Sequence, residues 1–300
     1  MANGSDRKRV GWVGLGDLGG AMARRVQSQG VRLTVYDIDA AAVRRLTDLG
    51  ASAAGSLREL AEASDIVMLS LPHPKVLHEV CLGDDGLIHA LAPGSIVVDT
   101  STNGPDAVVE VGARLAERGV RMAEGPVGKG PWAAEKGDLT IMMGGDRETL
   151  AEVEFLFRIV GSELCYCGPL GAGQAVKVAN NLASCANLAV AAEAYALAAK
   201  GGADLEVLTH VMPKTAADSW HLRNTVIAKV VQRGDLSPVF KLKLARKDLQ
   251  LAVAMAERLG LSATCAQGAL DWYDRGHEAG SDDLDQSAIM LLTKPELRKG

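Results

Sequence analysis

Two groups of residues in this 300-residue chain have types and spacings suited to chemistry. The first is Gly14-Leu15-Gly16-Asp17-Leu18-Gly19, a G-x-G-x-x-G run between the apolar stretch Val10–Val13 and an Ala-rich amphipathic one. In that setting Gly14 permits a tight turn and Gly16 lets the backbone approach a pyrophosphate. Gly19 lets a helix pack against its strand, with phosphates over the positive helix end. A glycine-rich turn without a ligand is the plainer alternative. Asp37 closes the next apolar stretch, about 18 residues after Gly19. A carboxylate there can accept from both adenosine ribose hydroxyls and repels a 2′-phosphate, and Ile38 offers that phosphate no cation. These features point to a nicotinamide dinucleotide, with NAD favoured over NADP. Asp37 and Asp39 also suit a helix cap, and Asp39 suits it better.

The second group is Lys177 and Asn181, spaced i,i+4 on one face of an Ala-rich helix. A lysine near a helix start opposes the helix dipole. Facing a cleft, it could donate a proton to a carbonyl oxygen or take one from a hydroxyl, with Asn181 orienting it. Such a base needs a pKa brought toward neutrality by burial or neighbouring charge. A surface lysine beside the polar pair Asn180-Asn181 fits the same residues. No metal is expected. The histidines show no H-E-x-x-H spacing, and Cys165-Tyr166-Cys167 is too close for a zinc knuckle and fits a strand. Trp220 and His221 could approach a substrate, but core packing is the expectation.

Positioning these groups requires strands and helices in alternation. Val10–Val13, Leu33–Tyr36, Ile66–Leu71, Ile96–Asp99, Arg121–Ala123, Leu139–Met143 and Glu163–Cys167 read as strands. Ala21–Gln29, Ala40–Leu49, Ala107–Arg118 and Arg147–Val160 read as helices between them, which implies a mostly parallel sheet. After Gly168-Pro169, the stretch Gln174–Lys200 lacks Gly and Pro and reads as one long helix ending at Gly201-Gly202. Leu205–Met212, Ser219–Val231, Leu242–Leu259 and Thr264–Arg275 also read as helical. The expected plan is an α/β dinucleotide-binding domain over residues 1–170. An all-α domain over 171–300 follows, opening with the long helix.

Composition narrows the partners. Lys+Arg 32 against Asp+Glu 37 gives net charge −5, with 4% aromatic residues, which argues against a nucleic-acid binder. The chain lacks an uninterrupted apolar run of about 18 residues, so no membrane span is expected. Met1–Arg9 shows no apolar signal core, and the sequon-like Asn3-Gly4-Ser5 reads as chance. Five scattered cysteines suggest a reduced, cytoplasmic setting.

Four motifs then fall in one order. They are Gly14 to Ala23, Asp99-Thr100-Ser101-Thr102-Asn103-Gly104-Pro105, Gly125-Pro126-Val127-Gly128-Lys129-Gly130 and Gly171 to Asn181. With Lys247-Asp248-Leu249 and Asp285-Gln286-Ser287-Ala288, they span nearly the whole chain and resemble the β-hydroxyacid dehydrogenase family. That family includes 3-hydroxyisobutyrate dehydrogenases and tartronate semialdehyde reductases. The resemblance implies a Rossmann-like domain followed by a helical one, in homodimers or homotetramers. It implies Lys177 as acid/base, Asn181 as its support, and Ser101 and Thr102 where substrate meets nicotinamide. It also implies Lys247 near the nicotinamide, and Leu71 and Pro72 along the adenosine path.

One motif departs from the pattern. The family commonly has G-P-V-S-G-G, where this chain has Gly128 for the serine and Lys129 for a glycine. In the family this loop holds the substrate carboxylate, and a lost hydroxyl removes about 1 kcal/mol net. Lys129 either adds a cation for a carboxylate, sulfonate or phosphate head group, or points to solvent. Trp132 fits a pocket wall or its own domain's packing. The expected activity is hydride transfer between NAD and a small anionic 3-hydroxy acid, or reduction of the matching semialdehyde. Alternatives are an aldehyde or imine reductase and a non-catalytic dinucleotide-binding scaffold. Lys177 counts against both the imine reductase and the scaffold.

Overall fold

A computed structural model describes residues 8–293. The triplet Asn3-Gly4-Ser5 lies outside the described residues. The chain forms two compact units that divide between Lys177 and Val178.

The first unit is built on one sheet. β1 (Val10–Val13), β2 (Leu33–Tyr36), β3 (Ser52–Ala53), β4 (Ile66–Leu69), β5 (Ile96–Asp99) and β6 (Arg121–Glu124) run parallel in the order 3-2-1-4-5-6. β7 (Val127–Gly128) and β6 each pair antiparallel with β8 (Leu139–Gly144), and β9 (Gly161–Gly168) pairs parallel with β8. Strand residues alternate between two cores. Trp12, Met68 and Val98 join one apolar cluster, while Val13, Val67 and Val97 join another. A period of two with both faces apolar is what a sheet covered by helices on both sides requires. The covering helices are α1 (Asp17–Ser28), α2 (Ala40–Thr47), α3 (Leu57–Glu62), α4 (Pro74–Leu82), α5 (Pro105–Ala116), α6 (Pro131–Lys136) and α7 (Arg147–Val160).

α8 (Ala172–Lys200) starts in the first unit and continues in the second. The second unit also holds α9 (Leu205–Val211), a π-helix over Leu222–Val231, α10 (Leu242–Arg258) and α11 (Thr264–Glu278). Its core gathers Leu188, Tyr195, Val226, Leu249, Tyr273 and Ile289. By length and composition alone α8 could cross a membrane, which a count of uninterrupted apolar residues misses. Its Cys185, Leu188, Ala192 and Tyr195 are buried in that core.

The differences from the sequence reading are local. α1 begins at Asp17 rather than Ala21, because its glycines lie inside the first turns against the sheet. β4 stops at Leu69 instead of Leu71. The segment read as helical over Ser219–Val231 is a wider π-helix from Leu222. α4 and α6 each carry proline in the first turn, where its missing N–H costs nothing. The sequence reading assigned neither segment to an element.

Candidate active site

The glycine loop sits where β1 and β4 separate the two directions of strand order, the switch point at which open α/β sheets bind ligands. Gly14 has φ +91°, and a Cβ on it would lie 2.1 Å from the Ser70 carbonyl oxygen. A Cβ on Gly19 would lie 2.2 Å from the Gly14 oxygen, so helix and loop touch backbone to backbone. At Gly16 a Cβ would meet nothing within 4 Å. Gly16 caps α1 without a side-chain hydrogen bond, which leaves first-turn amides facing open space beside exposed Asp17. Leu15 is buried and Leu18 half-buried beneath them.

Asp37 faces this loop. Its Oδ2 accepts from the Leu15 amide at 2.6 Å and its Oδ1 from the Asp39 amide at 2.8 Å. Asp39 instead caps α2 by accepting from the Ala41 amide at 2.8 Å. A cavity of about 600 Å³ opens here, lined by Tyr36, Asp37, Ile38, Val43, Arg44 and Ala54 among others. Open amides, a carboxylate and an apolar-walled cavity together fit the phosphates, ribose and adenine of a dinucleotide. Arg44 is the residue the sequence reading overlooked. It stands one helical turn after Ala40, and the Arg44-Arg45 pair was the available signal.

A second cluster lies at the ends of β4 and β5. Ser101 Oγ accepts from the Leu71 amide at 2.7 Å, and Asp99 accepts from the Ser101 amide at 3.0 Å and Asn103 Nδ2 at 2.9 Å. Gln174, in the first turn of α8, ties this loop to the helix. Its Oε1 accepts from the amides of Asn103 (2.9 Å) and Gly104 (3.1 Å), and its Nε2 donates to the Ser101 carbonyl at 3.0 Å. Lys177 follows one turn later and is only 9% exposed. Thr102 is half-buried in the loop and Pro72 is exposed beyond Leu71.

The start of α8 is held from another side by Glu124, the last residue of β6. Its side chain is fully buried, and Oε1 accepts from the amides of Gly171 and Gly173 at 2.8 Å each. Burial pushes this carboxyl up to about 7, against the opposing pull of those amides. The sequence held a signal for it: an ionisable residue directly after the apolar Met122-Ala123.

The Gly125–Gly130 loop places its members differently. Gly128 is half-buried in β7 opposite Thr140, and buried Gly130 caps α6. Lys129 is exposed with φ +72°, and its Nζ pairs with Asp138 Oδ2 at 2.8 Å. Asp138 also accepts from Ser162 at 2.6 Å, which anchors the pair to β9. Trp132 is half exposed, with Lys136 above its ring.

In the second unit, Asn181 Nδ2 donates to Asp248 Oδ2 at 2.5 Å, and Lys247 Nζ lies 3.0 Å from Asp248 Oδ1. The Lys247-Asp248-Leu249 motif carried an expected role for Lys247 but none for Asp248, its neighbour on α10. His221 is buried between Ser184 Oγ (2.7 Å) and Thr225 Oγ1 (3.0 Å), and burial lowers its pKa. Trp220, in contrast, is 67% exposed, so the expectation of core packing fails for it. Adjacent helical residues point in different directions, and only His221 turns inward.

The chain is similar to known proteins over nearly its whole length. Residues 9–168 match the family model for the NAD-binding domain of 6-phosphogluconate dehydrogenase. Residues 171–293 match the model for the NAD-binding region of NADP-dependent 3-hydroxyisobutyrate dehydrogenase. The chain is 34% identical to an NAD-dependent L-serine dehydrogenase of Pseudomonas aeruginosa, over 96% of this chain and 98% of that one. It is 33% identical to a 3-sulfolactaldehyde reductase of Escherichia coli, over 94% of each. A crystal structure of 3-hydroxyisobutyrate dehydrogenase from Salmonella typhimurium superposes with TM-score 0.83 at 30% identity, covering 95% of this chain and 99% of that one. With a Rossmann-type unit followed by a helical unit, matched over both halves, the chain belongs to the β-hydroxyacid dehydrogenase family.

Proposed function

We propose that the protein is an NAD-dependent dehydrogenase that moves hydride between the cofactor and a small anionic 3-hydroxy acid, or reduces the matching semialdehyde. One observation carries this reading. Gln174 binds the Ser101–Gly104 loop directly, one turn ahead of a lysine that is 9% exposed, so a proton-transfer group and a polar loop share one hydrogen-bonded frame.

When bound, the dinucleotide supplies the hydride acceptor. Gly14, Leu15, Gly16, Asp17, Leu18 and Gly19 would hold its phosphates, Asp37 its ribose, and Leu71, Pro72, Thr102 and Lys247 the remainder. Lys177 takes the substrate hydroxyl proton during oxidation and returns it to the carbonyl oxygen during reduction. Asn181 supports that hydroxyl, with its own amide steadied by Asp248. Ser101, Gly128, Lys129, Gly130 and Lys247 bind the acidic head group. A carboxylate or a sulfonate suits these donors, and the similarity to an L-serine dehydrogenase and a 3-sulfolactaldehyde reductase supports both. The enzyme works as a homodimer or homotetramer in the cytoplasm, the compartment suggested by five cysteines that form no disulfide.

Arg44 favours a second reading of the cofactor. It lines the same cavity as Asp37 and could pair with a 2′-phosphate, so NADP would be used at reduced efficiency. The test is absorbance at 340 nm with NAD or NADP and a panel containing L-serine, 3-hydroxyisobutyrate and 3-sulfolactaldehyde. NAD-linked turnover on at least one substrate, abolished in Lys177→Ala, is expected. Tight NAD binding with no turnover on any 3-hydroxy acid or semialdehyde would favour the scaffold.

A further inference from the structure

We propose that Glu124 is a positioning residue that sets the first turn of α8, and through it the placement of Lys177. This goes deeper into the reading of Lys177 as acid/base and rests on it.

Glu124 ends β6 in register with Asp99 of β5 on one side and Gly144 of β8 on the other. Its Oε1 takes two amides, Gly171 and Gly173, that an α-helix cannot satisfy internally at its start. A carboxylate there complements the helix dipole and makes charge-assisted bonds. The seat admits no larger neighbours. A Cβ on Gly144 would come within 2.1 Å of Glu124 Oε1, and one on Gly173 within 2.2 Å of the Met142 oxygen and 3.1 Å of Oε1. Glycine at both positions lets β8 and the helix close around the carboxylate. Gln174 fastens the same turn to the Ser101 loop. The turn is thus fixed from two strands, and Lys177 is carried directly beyond it.

A buried carboxylate is a costly way to fill space. Glu124 Oε2 has no hydrogen-bond partner among the described residues, so the arrangement is not optimised for stability alone. Burial, and after it the nearby Asp99, oppose its ionisation, and the helix amides favour it.

The test compares Glu124→Ala, Glu124→Gln and Lys177→Ala. Three readouts apply: amide hydrogen exchange over residues 170–177, NAD affinity by fluorescence quenching, and kcat on the fastest substrate among L-serine and 3-hydroxyisobutyrate. Loss of two charge-assisted bonds predicts about tenfold or greater loss of protection at Gly171 and Gly173 in Glu124→Ala. It also predicts a kcat lower by about 30-fold or more, with NAD affinity nearly unchanged. Glu124→Gln keeps an accepting oxygen and recovers most of both. If the alanine variant does not fold, Glu124→Asp, one methylene short of the amides, must show the same fall in kcat without loss of NAD affinity. Unchanged protection in Glu124→Ala overturns the proposal, as does lost protection with wild-type kcat, or wild-type kcat in Glu124→Asp. A fully active Lys177→Ala enzyme overturns the acid/base reading instead, and leaves protection at Gly171 and Gly173 to decide the tether.

Discussion

Asn181 donates its side-chain amide to Asp248 across 2.5 Å, and both residues are buried. Asn181 Oδ1 in turn accepts from Asn180 Nδ2 at 3.1 Å, so the orientation of the amide is fixed at both ends. A buried amide held this way cannot rotate its donor away without stranding it.

Asp248→Ala therefore strands the Asn181 amide and removes one partner of Lys247. The expected cost is about 1–3 kcal/mol of stability, measured by denaturant unfolding. The expected loss in kcat is about tenfold or more. Asp248→Asn keeps an acceptor and should lose less of both. A fully active alanine variant would remove Asp248 from the account of how Asn181 is oriented.

Asp37 has two duties, holding the Leu15 amide and facing the cavity. Asp37→Ala should weaken NAD binding by about tenfold, the worth of roughly one charged hydrogen bond, while weakening NADP binding less. Adding Arg44→Ala should then lower NADP affinity specifically. Titration of wild type, Asp37→Ala and the double variant with both cofactors checks this, and NADP affinity indifferent to Arg44 would contradict it.

Lys129 occupies a left-handed backbone conformation that suits glycine, at a cost of about 1 kcal/mol. Lys129→Gly should hold or slightly raise the melting temperature, because the exposed pair with Asp138 contributes little. Yet the same change should raise KM for an anionic substrate severalfold. An unchanged KM would mean that Lys129 serves Asp138 alone.

Glu124 predicts a pH dependence of stability. Its folded pKa of about 7 lies above the ordinary glutamate value of 4.5, so between those values the folded state binds a proton that the unfolded chain does not. Stability from this group thus falls as pH rises from about 4.5 to 7, by about 3 kcal/mol at most. His221 works the other way: its lowered pKa makes the folded state lose stability as pH falls below 6.5. Unfolding free energies across pH 5–8 should show the Glu124 slope in His221→Gln and lack it in Glu124→Gln.

Much of the fold was legible because parallel strands buried on both faces leave continuous apolar runs, as at Ile66–Leu69 and Ile96–Asp99. α7 was placed to the residue because Asp146 caps it and glycine follows it. The π-helix at Leu222–Val231 was not legible, since its widening depends on packing rather than on local preference. At the proposed site, glycine spacing pointed to the loop and Asp37, and the motifs pointed to Lys177 and Asn181. Glu124, Gln174 and Asp248 escaped because a positioning residue leaves no spacing signature. Its role lies in contacts between segments far apart in sequence, such as Glu124 with Gly173.

The central claim is that Lys177 transfers the proton that accompanies hydride movement. Initial rates of NAD reduction at 340 nm, with the best substrate of the panel, compare wild type with Lys177→Ala at equal cofactor saturation. The account predicts a loss in kcat of roughly 10²–10⁴-fold with NAD affinity retained. A Lys177→Ala enzyme within about threefold of wild-type kcat would contradict it.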